Sequence, residues 1–205
     1  MITEHGLPRR IAELRQEIRQ RDPVLLANCT GAKWENGRFQ LPFWGTAVSL
    51  SWPECVAYDR SGQELDMMSQ AQLAYYFHTA NGVPLAGRWI AFNELPDGQF
   101  YTTAFQGYTG QKLVQAFGED VETFAELAVR LGGQPEVLGD AAYRFAVFPH
   151  VALLIVVWLG DEDFPTAYKL LFDAHSQYHL PTDACAILGS ILTGKLIHLT
   201  TLNQV

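Results

Sequence analysis

The apolar positions at the start of the chain follow a helical spacing. Leu7, Ile11, Leu14 and Ile18 recur every three or four residues between positions 3 and 21, which places them on one face of a helix. Pro23 ends the pattern, because proline cannot continue a helix interior. We therefore predict an N-terminal helix over residues 1–21, followed by a single domain over residues 22–205.

Three turn signals predict β-hairpins in the rest of the chain. Three short turn sequences each separate two runs of strand-forming residues: Asn-Gly, Pro-Asp-Gly and Pro-His. The paired runs are 30–35 with 38–42, 88–94 with 100–105, and YRFAVF with VALLIVVW; further strands are predicted at 47–52 and 55–59. VALLIVVW (151–158) is apolar at every position, which favours a central strand covered on both faces.

Helices are predicted in the segments with few turn residues. These segments are 67–80, 109–117, 120–131, 164–178 and 182–199. Because the hairpins do not alternate regularly with helices, the order favours an α+β class rather than a parallel α/β fold. The expected architecture is an antiparallel β-sheet of hairpins with helices packed on it, in a single domain.

Composition narrows the functional classes. Of 205 residues, 48% are hydrophobic and 18% charged, enough apolar material for a folded core. The net charge is −8, and the arginines of the N-terminal helix alternate with Glu13 and Glu17, which is typical of a solvated face with i,i+4 ion pairs. We therefore expect no nucleic-acid partner.

The cysteines and the apolar runs indicate a compartment. Cys29, Cys55 and Cys185 are sparse, odd in number and far apart, which suits a reducing environment and makes a cysteine-ligated metal site within the chain improbable. The longest strongly apolar run, Val151–Leu159, is too short to span a bilayer. A soluble, cytoplasmic protein without a membrane partner is expected.

The search for catalytic motifs leaves an acidic cluster as the first candidate site. Phosphate-binding, dinucleotide-binding, zinc-protease and hydrolase signatures are absent from the sequence. Asp161, Glu162 and Asp163 lie between the apolar strand and the predicted helix 164–178. Clustered carboxylates bind hard cations or shuttle protons, but acidic residues before a helix also complement its dipole, and we favour that structural explanation.

A histidine pair is the second candidate. His175 and His179 are four residues apart, the spacing at which two imidazoles on a continuous helix chelate a metal. Asp173 or Asp183 would supply a carboxylate as third ligand. Histidines near a helix end also bind the free carbonyls there, and Pro181 interrupts the helix. A metal or tetrapyrrole role is therefore one alternative among several.

Three segments resemble a known family: GRWIAFNELPDGQFY, FAVFPHVALLIVVWLGDEDFP and LFDAHSQYHLPTDA. They are similar to the bacterial and archaeal family catalogued as domain of unknown function 3786, over about residues 20–199 of the sequence. The resemblance implies no particular activity or cofactor. Some similar proteins carry an added cysteine-rich iron–sulfur module, which this chain lacks. His150 and His179 also replace residues usual in the family, so the histidine pair is expected to be particular to this branch.

Three functional hypotheses follow. The leading one is an accessory domain that binds a small ligand, a cofactor or a protein partner, with Trp34, Trp44, Trp52 and Trp89 as candidates to line an apolar pocket. The second is a metal-dependent enzyme that uses the histidines and carboxylates named above. The third is a purely structural interaction subunit.

Overall fold

The four apolar positions at the start of the chain form the buried stripe of a helix, as predicted. The computed structural model describes residues 6–202, so residues 1–5 of the predicted helix lie outside the described part. Helix α1 is Leu7–Ile18, and Leu7, Ile11, Leu14 and Ile18 are all buried. Leu7 and Ile11 pack on Ala71 of helix α3, Met67–Thr79.

The contacts divide the described chain into two units. Unit 1 comprises the described residues before 85, together with Val147–Val151 and Tyr178–Pro181. Unit 2 comprises Leu85–Ala146, Ala152–Gln177 and the described residues from Thr182 onward. Each unit contains one antiparallel sheet with helices, so the α+β class is confirmed, with two sheets in place of one.

Unit 1 is built on a four-stranded sheet of consecutive strands. The order β1-β2-β3-β4 joins Lys33–Glu35, Arg38–Phe43, Thr46–Ser51 and Ala57–Tyr58. Asn36 and Gly37 both have positive φ, 51° and 71°, as the hairpin turn at Asn-Gly requires. The first predicted hairpin is therefore confirmed.

Helix α2, Pro23–Thr30, was not expected from the sequence pattern. Asp22 caps it by accepting hydrogen bonds from the backbone N–H groups of Val24 and Leu25. Pro23 occupies the first helical position, where a missing N–H costs nothing, and Gly31 ends the helix in the left-handed conformation. Pro23 therefore begins a helix as well as ending the pattern before it.

Unit 2 contains a five-stranded sheet, except for the hairpin tip 147–151, which clusters with unit 1. The strands are β5 Trp89–Ala91, β6 Gln134–Glu136, β7 Ala141–Phe148, β8 Val151–Trp158 and β9 Ala167–Asp173, in the order β5-β9-β8-β7-β6. The apolar strand β8 is central, and the hairpin β7–β8 forms where it was predicted. Both expectations are confirmed.

Two predicted elements are wrong. Residues 164–178 do not form a helix: they contain β9, in which the alternate residues Tyr168, Leu170 and Phe172 are buried against the helical side. The hairpin 88–94 with 100–105 does not form either, because β5 pairs with β9 and residues after Pro96-Asp97-Gly98 become helical. The partner of β5 is distant in sequence, and a local pattern does not register it. β9, by contrast, pairs with β8, the strand directly before it, as well as with β5.

The helices of unit 2 cover one face of its sheet. They are α4 Thr102–Tyr108, α5 Gly110–Phe117, α6 Val121–Arg130 and α7 Thr182–Leu202. Phe105 contacts Phe172 with ring centroids 5.8 Å apart, and Phe117 contacts Tyr168 at 6.2 Å. On the opposite face, half-buried Trp89, Trp158 and Leu171 pack over a buried apolar cluster.

Helix α7 is long and apolar enough to cross a membrane, judged by length and composition alone. Its most apolar window has a mean hydropathy of 1.4. A core helix passes the same test, and the buried positions of α7 from Ala184 to Leu196 recur at helical spacing and face α5 and α6. The described residues contain no other helix that meets this criterion.

Candidate functional site

Asp173, a predicted ligand, is a buried structural carboxylate. Its side chain is 1% exposed at the end of β9. One oxygen accepts hydrogen bonds from the N–H groups of Ala86 and His175, and the other accepts one from Gly87, each at 2.9 Å. These three bonds stabilise the buried carboxylate and hold the segment before β5 against the end of β9.

The other members of the predicted histidine–carboxylate set do not form a metal-binding group within the described residues. The continuous helix on which the His175–His179 spacing depended is absent: His175 lies in a turn, and Ser176–Tyr178 is a single 3-10 turn. His175 belongs to unit 2 and His179 to unit 1. Asp183 is exposed in the first turn of α7. Within residues 6–202, no group of three or more His, Cys, Asp or Glu side chains could hold a metal ion.

His179 instead belongs to a buried aromatic cluster in unit 1. Its Nε2 lies 2.8 Å from the carbonyl oxygen of Val83, so that nitrogen carries the proton. The His150 ring stacks on it with centroids 5.2 Å apart. The Tyr76 ring stacks on Phe148 at 4.2 Å, and the Tyr76 hydroxyl donates to the Thr30 carbonyl oxygen.

Burial sets the chemistry of this aromatic cluster. Desolvation lowers the pKa of His150 and raises that of Tyr76, so both side chains are held neutral. Nε2 of His150 is buried and has no hydrogen-bond partner among the described residues. The sequence did not associate His150, His179 and Tyr76, because they are brought together only by the hairpin tip and α3. Tyr76 and His179 are buried in this cluster, and His150 is half-buried, so the cluster packs the interior of unit 1.

The acidic residues 161–163 lie at a loop end of the unit 2 sheet. They follow β8 and precede β9, so they form a hairpin connection and not the start of a helix. Asp161 accepts hydrogen bonds from the N–H groups of Asp163 and Phe164. The bond from Phe164, with that from Asp163, lowers the pKa of the Asp161 carboxyl, which keeps it ionised.

A second loop lies beside the acidic one. The β6–β7 connection, residues 137–140, is at the same end of the sheet because β6, β7, β8 and β9 are successive antiparallel neighbours. The carboxylate of Asp140 accepts a hydrogen bond of 2.7 Å from the N–H of Leu159, and its own N–H donates to the carbonyl of Val157 at 2.9 Å. The two loops are therefore adjacent at this end of the sheet.

These two loops expose large apolar side chains. Val137 is fully exposed, Phe164 is 70% exposed, and Leu138 and Leu159 are 40% and 43% exposed. We call these four residues the loop patch. Single exposed apolar residues are normal on soluble proteins, whereas contiguous ones mark interaction sites. Phe100 and Tyr101 are also exposed, but they lie in the short helical segment Gly98–Tyr101, outside these two loops.

Close packing fixes the shape of both loops. A Cβ on Gly139, whose φ is +62°, would lie 2.5 Å from the carbonyl oxygen of Val157. A Cβ on Gly160 would lie 2.8 Å from the N–H nitrogen of Thr166. Each glycine thus allows its loop to pack directly on neighbouring backbone, and the loop patch is preorganised rather than a mobile tip.

The tryptophans and the cysteine that were considered as candidate site residues pack against other side chains of the protein. Trp34 and Trp52 both contact Phe39, at 4.6 and 5.9 Å, and Trp44 contacts Phe43. A groove of about 250 Å³ is lined by residues of α1 and α3 including Ile11, Arg15 and Gln70, with no tryptophan in its lining. Burial raises the pKa of the Cys185 thiol to about 12, which suppresses the nucleophilic thiolate.

The comparison with protein families agrees with the resemblance of the three segments. The sequence model described as Domain of unknown function (DUF3786) matches residues 22–195. The chain therefore belongs to this family. No curated protein and no solved structure matches the chain significantly.

Proposed function

We propose that this chain is an accessory domain that binds a protein partner through the loop patch. The observation that carries the proposal is the exposure of Val137, Leu138, Leu159 and Phe164 on two adjoining, closely packed loops. Exposing apolar area to water is unfavourable, and covering it with a partner removes that cost. Preorganised loops add affinity because little conformational entropy is lost on binding.

A small-ligand or cofactor site has less support. The groove beside α1 holds about 250 Å³, and the guanidinium of Arg15 in its lining already donates to the Cys55 carbonyl and the Gln70 side chain. The metal-dependent enzyme gains no supporting observation from the described residues and stays a prediction. Binding of a protein partner is therefore the function that the geometry favours.

Site-specific photo-cross-linking in lysate of the native host tests the proposal. The photoreactive residue p-benzoylphenylalanine is placed at position 164 or 137, and in a control protein at position 129. Val129 is 57% exposed on α6 in the same unit, close to the 70% exposure of Phe164. We expect positions 164 and 137 to yield the same cross-linked protein, and position 129 not to yield it.

A second variant checks that the apolar contact causes the cross-link. Phe164→Ser, combined with the photoreactive residue at 137, should abolish the product while leaving the thermal unfolding midpoint nearly unchanged, because Phe164 is mostly in solvent. If positions 164 and 137 give no product that is missing at position 129, the loop patch is not an interface.

A further inference from the structure

The charged residues within the two loops of the loop patch are all negative. Residues 137–140 and 159–166 contain Asp140, Asp161, Glu162 and Asp163, and no Lys, Arg or His. The two basic side chains on the neighbouring strands are already engaged. Arg144 pairs with Glu136 at 3.1 Å, and the Lys169 ammonium lies over the Trp158 ring at 5.6 Å. The apolar centre therefore has an acidic rim.

The internal hydrogen bonds of the loops do not neutralise this rim. Asp161 and Asp140 accept from backbone N–H groups, which are dipoles and leave the formal charge in place. Glu162 and Asp163 are exposed at the tip of the same loop. Several carboxylates close together on a chain of net charge −8 repel one another, and a cationic partner relieves that repulsion.

We infer that the partner of the loop patch is a basic protein segment, in which an apolar side chain is flanked by Lys or Arg. The inference rests on the proposed function and specifies its partner. The apolar side chain covers Phe164 and Leu159, while the cations face Asp161, Glu162 and Asp163. Complementary charges of this kind raise the association rate and select against acidic competitors.

Two other occupants fit less well. A membrane surface with anionic lipids would repel the acidic rim, although it would accept the apolar side chains. A divalent cation would suit carboxylates, but it would leave the apolar side chains exposed. A basic segment with an apolar anchor uses both features of the surface.

The test uses the full chain and three fluorescein-labelled synthetic peptides in an anisotropy titration. One peptide places Leu-Phe between Lys and Arg residues, the second replaces the basic residues by Glu, and the third replaces Leu-Phe by Ser-Ser. We expect only the first to bind well, with affinity that falls as KCl is raised. Equal binding of the acidic peptide, or no binding of the first peptide, overturns the inference.

Matched charge variants locate the binding. The triple variant D161N/E162Q/D163N should weaken the basic peptide about tenfold at low salt, since each exposed pair contributes modestly. The control E119Q/E122Q/E126Q removes three exposed carboxylates at and next to α6 and should leave affinity within about twofold. An equal loss in both variants would mean non-specific attraction and would contradict the inference.

Two further experiments distinguish a failure of this inference from a failure of the proposed function. Vesicles of phosphatidylserine and phosphatidylcholine should not bind; vesicle binding that is lost in Phe164→Ser would replace the protein segment by a membrane. Mapping the cross-link from position 164 by mass spectrometry is the second experiment. A cross-link to an acidic or uncharged segment refutes the inference and leaves the proposed function intact, whereas the absence of a site-specific cross-link refutes the proposed function itself.

Discussion

Asp173 offers a direct test of whether a predicted ligand residue is a structural one. In Asp173→Ala, the N–H groups of Ala86, Gly87 and His175 lose their acceptor. If the carboxylate holds β5 and the turn after β9 in place, its removal must reduce the free energy of unfolding. If it serves mainly to bind a ligand, the protein without ligand should lose little stability.

The magnitude follows from the three hydrogen bonds. A bond to a charged group contributes about 1.5–3 kcal/mol when it is well buried. Ala86 and His175 are half-buried and Gly87 is exposed, so water partly replaces the lost acceptor and about 1 kcal/mol per bond is appropriate. The expected loss is therefore about 3 kcal/mol, a large share of the stability of an ordinary domain.

Urea unfolding followed by tryptophan fluorescence measures the effect. Trp89 pairs in register with Asp173 and contributes to the emission together with the other four tryptophans. The control is Asp183→Ala, which removes an exposed carboxylate from the first turn of α7 and should cost about 0.5 kcal/mol. A loss below about 1 kcal/mol in Asp173→Ala, with an unchanged urea dependence, would refute the structural role.

Three further predictions concern other buried or closely packed positions. Gln72 is fully buried, and neither polar atom of its side chain has a hydrogen-bond partner among residues 6–202; Gln72→Leu should therefore stabilise the protein by about 1 kcal/mol in urea unfolding. Gly139→Ala should destabilise by about 3 kcal/mol, because its Cβ would clash with the Val157 carbonyl. Gly132→Ala, with positive φ but open space around the Cβ, should cost only about 1 kcal/mol. Because burial lowers the pKa of His150 below 6.5, the unfolded chain takes up a proton first as the pH falls; stability should be complete above pH 6.5 and decline below it.

Each of these three predictions has a result that would contradict it. A less stable Gln72→Leu would mean that the amide is satisfied in solution, and equal costs for the two glycine variants would mean that backbone strain alone matters. For His150 the control is His150→Gln, which should remove part of the decline in thermal midpoint just below pH 6.5. The carboxylates whose pKa is lowered, such as Asp161, lose their contribution only at more acidic pH. An identical decline in wild type and His150→Gln would contradict the reasoning.

The elements that the sequence predicted well are those with a strong local signal. The stripe from Leu7 to Ile18 predicted α1, Asn36-Gly37 predicted the first hairpin, and the unbroken apolar run of β8 predicted a central strand. In each case the deciding information lies within about ten residues. For β9 the prediction of a helix was wrong although a local strand signal was present. Tyr168, Leu170 and Phe172 alternate with period 2, as in a strand with one buried face, but the acidic residues before them were interpreted as the start of a helix.

The candidate site was likewise predictable from the sequence only in part. Residue type alone identified Asp161, Glu162 and Asp163 as an acidic cluster, and the family resemblance marked Phe164, but neither associated them with Val137 and Leu138. That association comes from sheet order, which places the β6–β7 and β8–β9 connections side by side through the Asp140–Leu159 hydrogen bond. A useful sequence signal was nevertheless present, since Val137-Leu138 lies between Glu136 and the Gly139-Asp140 turn, where apolar side chains have no core to enter.

By itself the sequence determined the α+β class, the net negative charge and most helices, because these follow from composition and from short-range periodicity. The family followed separately, from the resemblance of three segments. Only the tertiary structure decided which strands pair, and therefore which loops meet. It also showed that the His175–His179 spacing has no helix to make it a chelating pair, and that Asp173 binds backbone N–H groups. Pairings between residues far apart in the chain depend on packing across the whole sheet, which no local pattern contains.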